Sequence, residues 1–333
     1  MITYEWRPEL TGADLDEVLQ LVRDAAEYDE EAGFSSIDPD SVREVGTGAG
    51  TGRAGTVAHL PIKARRDLSP LEDVPMVIVA YLHLSVDADG VGTVSYVVHP
   101  DYRSRGITTL LVEEVGLDVA GGEGWERTGA DALRCWAYAT HPASGRLTRR
   151  FGIPAVSRQW TLARHLAGPF ALPLDETDAP DGVTVGVSRE LVADDPAIAQ
   201  VVAAAHLPER HHDRVSADLR RGGGTVLDAR DENGDVLGFV WFTTEYRMHL
   251  DLRTARVHAL VLTDKARGLG LGATLLTAAL ALQRDAGIQV SQLRIDPDDP
   301  GAVRMCRLLA FEQEDVHSCY QVGASTSPPP AFR

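Results

Sequence analysis

The chain has 333 residues, 44% hydrophobic and 24% charged, the composition of a globular protein with length for two domains or one large one. Asp and Glu number 49 against 32 Lys and Arg, and the formal charge of −17 argues against nucleic acid as a partner. Cys135, Cys306 and Cys319 are too scattered for a disulfide framework or a closed zinc site, MITYEWRPEL lacks the pattern of a secretory signal, and no run approaches the roughly 20 apolar residues of a membrane span. A soluble cytoplasmic chain, with no membrane and no metal, is expected.

In the first half, periodicity predicts a strand over Ile2–Trp6 and a helix over Ala13–Tyr28. The Gly-rich run Gly46–Gly55 reads as a mobile loop. Strands Met76–Val86 and Thr93–Val98 flank a turn carried by Asp89-Gly90, followed by helix Ile107–Ala120, strand Ala132–Ala139, helix Ala143–Phe151 and strand Val156–Ala163. The Pro- and Asp-rich stretch from Ala167 reads as a linker. The second half repeats the order: strand Val183–Val187, helix Pro196–Ala205, strands Thr225–Ala229, Val236–Thr244 and Val257–Leu262, helix Leu271–Ala286, strand Gln292–Ile295, helix Pro300–Leu309 and strand Val316–Val322. The tail STSPPPAFR has nothing to pack with and is expected to fray.

The two halves share a motif. Arg103 and Gly106 align with Arg267 and Gly270 at one offset of 164 residues, each pair lying between an apolar β run and an apolar helix. Glycine at 270 and 272 permits close backbone approach, and a helix start offers unpaired N–H groups and the positive end of a dipole, a geometry that binds pyrophosphate. A lone Gly-x-Gly equally fits a tight turn under a packed helix; the second copy favours the phosphate reading.

Arg267-Gly-Leu-Gly270-Leu-Gly272 resembles the acetyl-CoA motif of the GCN5-related N-acetyltransferases (GNAT family), and Arg103-Ser-Arg-Gly106-Ile-Thr108 resembles it with Thr at the last small position. Chain length, the stretch Cys135–Pro142 and the run Leu293–Phe311 are similar to the tandem-repeat branch that contains the mycothiol synthases. The resemblance implies an α/β (α+β) fold of two tandem GNAT domains, each a mixed, mainly antiparallel twisted sheet flanked by helices. Boundaries at 1–165 and 183–323 are expected, with a linker over 166–182 and a flexible tail over 324–333. The two halves would form an intramolecular pseudodimer, as a monomer. By the same resemblance acetyl-CoA, with coenzyme A as product, is the cosubstrate. It would be held at Leu262, Arg267, Gly268, Leu269, Gly270, Leu271, Gly272 and Ala273, with counterparts at Val98, Arg103, Ser104, Arg105, Gly106, Ile107, Thr108 and Thr109.

The expected activity is acetyl transfer to a primary amine of a small molecule by direct attack, with the second half as the active one. Eleven residues before the motif's Arg, where many relatives carry a Glu base, stand Arg256 and Gly92, and Cys306 occupies the place of the family's Tyr acid. His258 shares the strand face of Arg256 by the period of two and is the expected base, with Cys306 as the acid. The alternatives are a catalytically silent acyl-CoA-binding or sensing protein, or transfer to a peptide or aminoglycoside amine. His206, His211 and His212 read as a solvated loop bordering the acceptor pocket, Asp298 and Asp299 as an exposed run able to attract a cationic amine, and Trp136, Trp160 and Trp241 as core.

Overall fold

A computed structural model describes residues 2–30, 37–46, 56–71, 73–140, 142–175, 178–325, 327 and 329. The chain divides into two compact units, residues 1–157 with 317–327 and residues 158–316 with 328–333. The expected loop Gly46–Gly55 lies outside the described residues from residue 47 onward, as does much of the tail. Among the described residues no helix is long and apolar enough to cross a membrane.

Unit one comprises β1 (Ile2–Tyr4), α1 (Gly12–Glu30), α2 (Pro39–Val42), β2 (Thr56–Arg65), β3 (Met76–Val86), β4 (Val91–Val98), α3 (Ile107–Val115), β5 (Ala132–Ala137) and α4 (Pro142–Phe151). Its strands run β1-β2-β3-β4-β5, antiparallel up to the parallel β4–β5 pair. The expected turn forms: the Asp87 carboxylate accepts the N–H groups of Asp89 and Val91, and Gly90 takes a φ of 76°. Sequence reading misses β2 because Pro61 stands in its middle. The Arg7–His59 bridge and the Tyr4–Ile62 pair flank Pro61, and ladder alternation turns its nitrogen into the gap between them, so no ladder bond is lost. Leu60, Ile62, Val79 and Leu84 then close the core against Ile107 and Leu111 of α3.

Next along the chain come β6 (Ala155–His165), β7 (Thr184–Val185), β8 (Arg189–Glu190), α5 (Pro196–Ala204), α6 (Glu209–Leu219), β9 (Thr225–Arg230), β10 (Val236–Phe242) and β11 (Arg247–His249). They are followed by β12 (Leu252–Leu262), α7 (Leu271–Asp285), β13 (Val290–Ile295), α8 (Pro300–Leu308) and β14 (Glu312–Val322). Unit two orders its strands β6-β13-β12-β10-β9-β7, with β12–β13 the parallel pair. Leu271, Leu275, Leu276 and Leu280 bury one side of α7 against Val240, Phe242 and Val257. At roughly 1.5–3 kcal/mol per buried side chain, this face is the main anchor of the helix. On the other sheet face, Ile198, Val201 and Val202 of α5 and Val215 and Leu219 of α6 pack on Phe239, Trp241 and Val261. Only Val215 and Leu219 of its eleven residues are buried apolar side chains, which gives α6 too weak a period to be read from sequence, and the expected loop at His211-His212 is this helix.

Each unit takes its last strand from the other repeat. β6 pairs with β13, Trp160 opposite Ile295, whereas β14 from Ser318 to Val322 pairs with β5 in unit one. The compact units therefore divide the chain inside β6 and β14, whereas the expected boundaries follow chain order. The linker segment is laid on unit two: Arg164 donates to the carbonyls of Leu309, Leu172 and Pro173, Leu174 packs on the α7 core, and Thr274 Oγ1 donates to Asp178 O at 3.3 Å.

Removing residues from His317 onward is expected to strip β5 of its outer partner and of the 2.7 Å Arg134–Gln321 hydrogen bond. Amide exchange should then accelerate at Leu133–Ala137, and exchange there equal to that of the intact chain contradicts the strand assignment. A second expectation concerns pH. His59 Nε2–H donates to Glu44 O at 2.9 Å, its Nδ1 accepts from the Tyr81 hydroxyl at 2.6 Å, and His83 Nε2 lies 3.3 Å from the Glu44 carboxylate. Burial holds both rings below the ordinary value of 6.5, so near that pH the unfolded chain binds protons that the folded chain refuses. Their contribution to stability is full above that pH and is lost as pH falls through it. The melting temperature should drop between about pH 7 and 5, less steeply in His83→Gln, and an identical slope in the variant contradicts the assignment.

Candidate active site

The motif folds the same way twice. After β4 a tight turn at Pro100–Tyr102 leads to Arg103, and Ser104 and Gly106 take φ of 59° and 82° before α3 begins. After β12 the turn Asp264–Ala266 leads to Arg267, and Gly268 and Gly270 take 78° and 85° before α7. Ser104 therefore holds a backbone that Gly268 adopts without strain. At Gly268, Gly270 and Gly106 an added Cβ would meet open space, so these positions serve backbone conformation beside an open face. Gly272 differs: its missing side chain makes room for Leu262 Cδ1 and Met305 Sδ, each 3.3 Å from where a Cβ would stand. Thr108 at the matching place instead donates to the Tyr96 hydroxyl at 3.1 Å.

Leu110 N–H is the first in α3 to bond back, to Gly106 O, which leaves the amides of Ile107, Thr108 and Thr109 without an intrahelical partner. In α7 Ala273 and Thr274 bond back to Gly270 O, and the amides of Leu271 and Gly272 are left. At the strand ends Thr263 N–H donates to Leu237 O and His99 N–H to Val79 O, so antiparallel alternation turns the amides of Leu262 and Val98 toward the opposite edge. The arginines are less available than the sequence implied. Arg103 is clamped by Asp29, Nη1–Oδ1 2.6 Å and Nη2–Oδ2 2.9 Å, and donates from Nε to Val98 O. Arg267 donates to His206 O at 3.1 Å and lies 3.6 Å from Asp264, which His206 also contacts, so His206 fastens the loop from the end of α5. Arg105 is exposed and stands over the Tyr102 ring. The anion-binding capacity of both loops rests mainly on backbone N–H groups.

Each parallel pair stops early and opens a cleft. β4 and β5 pair only from Val91–Ala132 to Val94–Cys135, and beyond this lies a cavity of about 1130 Å³ that reaches Ser104, Gly106 and Thr109 on one side and Ser144 of α4 on the other. Trp136, expected as plain core, lines it, and burial pushes the Cys135 thiol in its wall up to about 11. β12 and β13 pair only from Thr254–Val290 to Arg256–Gln292. Where they part lies a smaller pocket of about 210 Å³, walled by Val257, His258, Leu293 and Arg294 and closed by Arg214 and Asp218 of α6 and by Arg221 in the turn after it.

His258 occupies a bulge. Trp241 pairs with Ala259 and Phe242 with Val257, so His258 has no opposite residue, and its carbonyl accepts both Arg214 Nη atoms at 3.3 Å. The ring lies 4.7 Å from that of Trp241, itself held by a 2.9 Å bond from Nε1 to Gly223 O. Burial first, then Arg256 and Arg214, lowers the imidazole to about 4 against the opposing pull of Asp218. The ring is therefore unprotonated at neutral pH. Arg256 lines the same pocket, as the period of two predicted. Cys306 does not reach it: the side chain is 1% exposed inside the α7–α8 core, and burial, with Asp299 second, pushes the thiol up to about 12. So weak an acid holds its proton against a departing thiolate, which argues against the expected acid role.

Asp299 caps α8, its carboxylate accepting from Gly301 and Ala302 N–H at 2.9 and 3.0 Å, and Asp296 accepts from Asp298 N–H, so this acidic run shapes a helix start. His211 of α6 lies 3.8 Å from the Asp296 carboxylate and fastens α6 to the end of β13. The pocket arginines Arg214 and Arg221 escaped sequence reading; one on a charged helix and one in the turn after it, they gave no signal beyond hydrophilicity.

Residues 192–311 match the Acetyltransferase (GNAT) family. Proteins named mycothiol acetyltransferase are similar over most of the chain: that of Salinispora tropica is 32% identical over 257 residues, covering 74% of this chain and 78% of its own. That of Stackebrandtia nassauensis is 28% identical over 318 residues, 92% and 94% of the two chains. Among solved structures, a tandem GNAT protein from the clavulanic acid biosynthesis pathway aligns with a TM-score of 0.64 at 18% identity, over 97% of this chain and 100% of that one. A GCN5-related N-acetyltransferase from Sphaerobacter thermophilus aligns with a TM-score of 0.58 at 17% identity, over 96% and 95%. The mixed α/β tandem fold expected from the repeat agrees with these neighbours, and the chain belongs to the GNAT family as an acetyl-CoA-dependent N-acetyltransferase.

Proposed function

We propose that unit two transfers the acetyl group to the primary amine of a small molecule, and that the large cavity of unit one holds a second acetyl-CoA without turnover. The observation that supports the division is the unprotonated His258 in the cleft of unit two. The amides of Gly268–Gly272 receive the pyrophosphate at the start of α7, with Ala273 closing the first turn and Arg267 steadying the loop, and the free N–H of Leu262 polarises the thioester carbonyl. The amine lone pair attacks the carbonyl carbon as the C–S bond breaks. His258 accepts a hydrogen bond from the amine and passes its proton to solvent, which also protonates the thiolate. Orientation between the Leu262 amide and His258 supplies much of the rate, so a weak base suffices.

Thiol release from acetyl-CoA across a panel of amines, including the cysteinyl glucosaminyl-inositol amine suggested by the mycothiol acetyltransferases, tests the reading; tight binding without turnover on any amine contradicts it. Gly270→Glu puts a carboxylate and a strained φ at the phosphate loop and should abolish turnover, whereas Gly106→Glu should leave it, and the reverse pattern assigns catalysis to unit one. His258→Ala should lower kcat at least about tenfold, roughly 1.4 kcal/mol of barrier, and a smaller loss removes His258 from the chemistry.

A further inference from the structure

The pocket beside His258 is cationic in an acidic protein. Arg214, Arg221, Arg256 and Arg294 converge on about 210 Å³ that includes one carboxylate, Asp218, in a chain of net charge −17. Asp218 lies 3.7 Å from Arg221, and Arg214 is spent on the His258 carbonyl through one face of its fork. Arg256 is the distinctive member. Its guanidinium makes no hydrogen bond or ion pair with a described residue, and burial together with Arg247 lowers it to about 10, against the pull of Glu314. Glu314 is itself engaged by the Gln292 amide and by His249 at 3.6 Å. A half-buried cation without a partner is costly unless a ligand supplies the counter-charge.

We propose that the acceptor amine of unit two carries an anionic oxyacid group, a carboxylate or a phosphate, that pairs with Arg256 and Arg214 beside the transferred acetyl. The inference rests on the reading of unit two as the site of transfer. The planar fork of Arg256 suits two oxygens of one oxyacid, and the pocket has the volume of an amino acid or a small amino-sugar phosphate. Position agrees with this role: Arg256 precedes the bulge by two residues and shares its cleft, so an anion held there places a nearby amine at the imidazole. The anion also offsets the Arg256 and Arg214 charges facing His258, with Asp218, Arg221 and Arg294 unchanged around it, so acceptor binding makes the ring a better proton acceptor.

The test compares matched amines, alanine against alaninamide and glucosamine 6-phosphate against glucosamine, by thiol release and by calorimetric binding to the full chain. The expected result is a preference of tenfold or more in kcat/KM for at least one acid over its neutral partner, which identifies carboxylate or phosphate, falling to near one in Arg256→Gln and returning in part in Arg256→Lys. Turnover with equal or better use of neutral amines, the cysteinyl glucosaminyl-inositol amine included, overturns the anion site and leaves the transfer reading standing. Acid binding that is lost in Arg256→Gln, with no turnover on any amine, keeps the anion site and overturns the transfer reading. Neither binding nor turnover overturns both.

Discussion

The early end of a parallel strand pair governs the rest of this structure. In each unit two strands share a ladder for three or four residues and then part, and the backbone groups beyond the last pair face a cleft. Strand amides that a longer ladder would consume, those of Val98 and Leu262, are left for a ligand. The helix that follows must start at the cleft's rim, and it does so through two left-handed residues that turn its first amides the same way. One constraint on pairing thus leaves both strand-end and helix-start amides facing the cleft.

The two copies of that geometry have been put to different ends. Unit one widens its cleft into a cavity and locks the motif arginine against Asp29, so it keeps a binding shape, and among the described residues lining it there is no histidine and no carboxylate besides Asp29. Unit two narrows its cleft with α6, brings arginines to its mouth and leaves an unprotonated imidazole at the bulge. Each unit also completes its sheet with the other repeat's final strand, which ties the stability of one half to the sequence of the other.

Much of this was legible in the sequence because it is local. The glycines at 106 and 270, the Asp87–Gly90 turn and the apolar face of α7 follow from backbone conformation and periodicity, and the 164-residue offset exposed the repeat. What escaped was tertiary. Strand β2 contains a proline tolerated only because the neighbouring ladder has a gap there, and α6 offers its core only Val215 and Leu219 as buried apolar side chains. The strand exchange leaves no local trace, since β6 and β14 read as closing strands whichever sheet they join. Site reading failed in the same way: His258 was found from strand period, but the burial that sets its charge and the approach of Arg214 and Arg221 come from packing, as does the burial that argues against Cys306 as the acid.

In the proposed function the loop before α7 holds the acetyl donor for transfer. Amide hydrogen exchange of the intact chain, with and without acetyl-CoA under single-turnover conditions with an accepted amine, tests it most directly. The expected result is slowed exchange at Leu262 and Gly268–Gly272 that is released as the acetyl group transfers, while protection at Val98 and Ser104–Thr109 persists. Protection confined to Val98 and Ser104–Thr109, released on turnover, would contradict it.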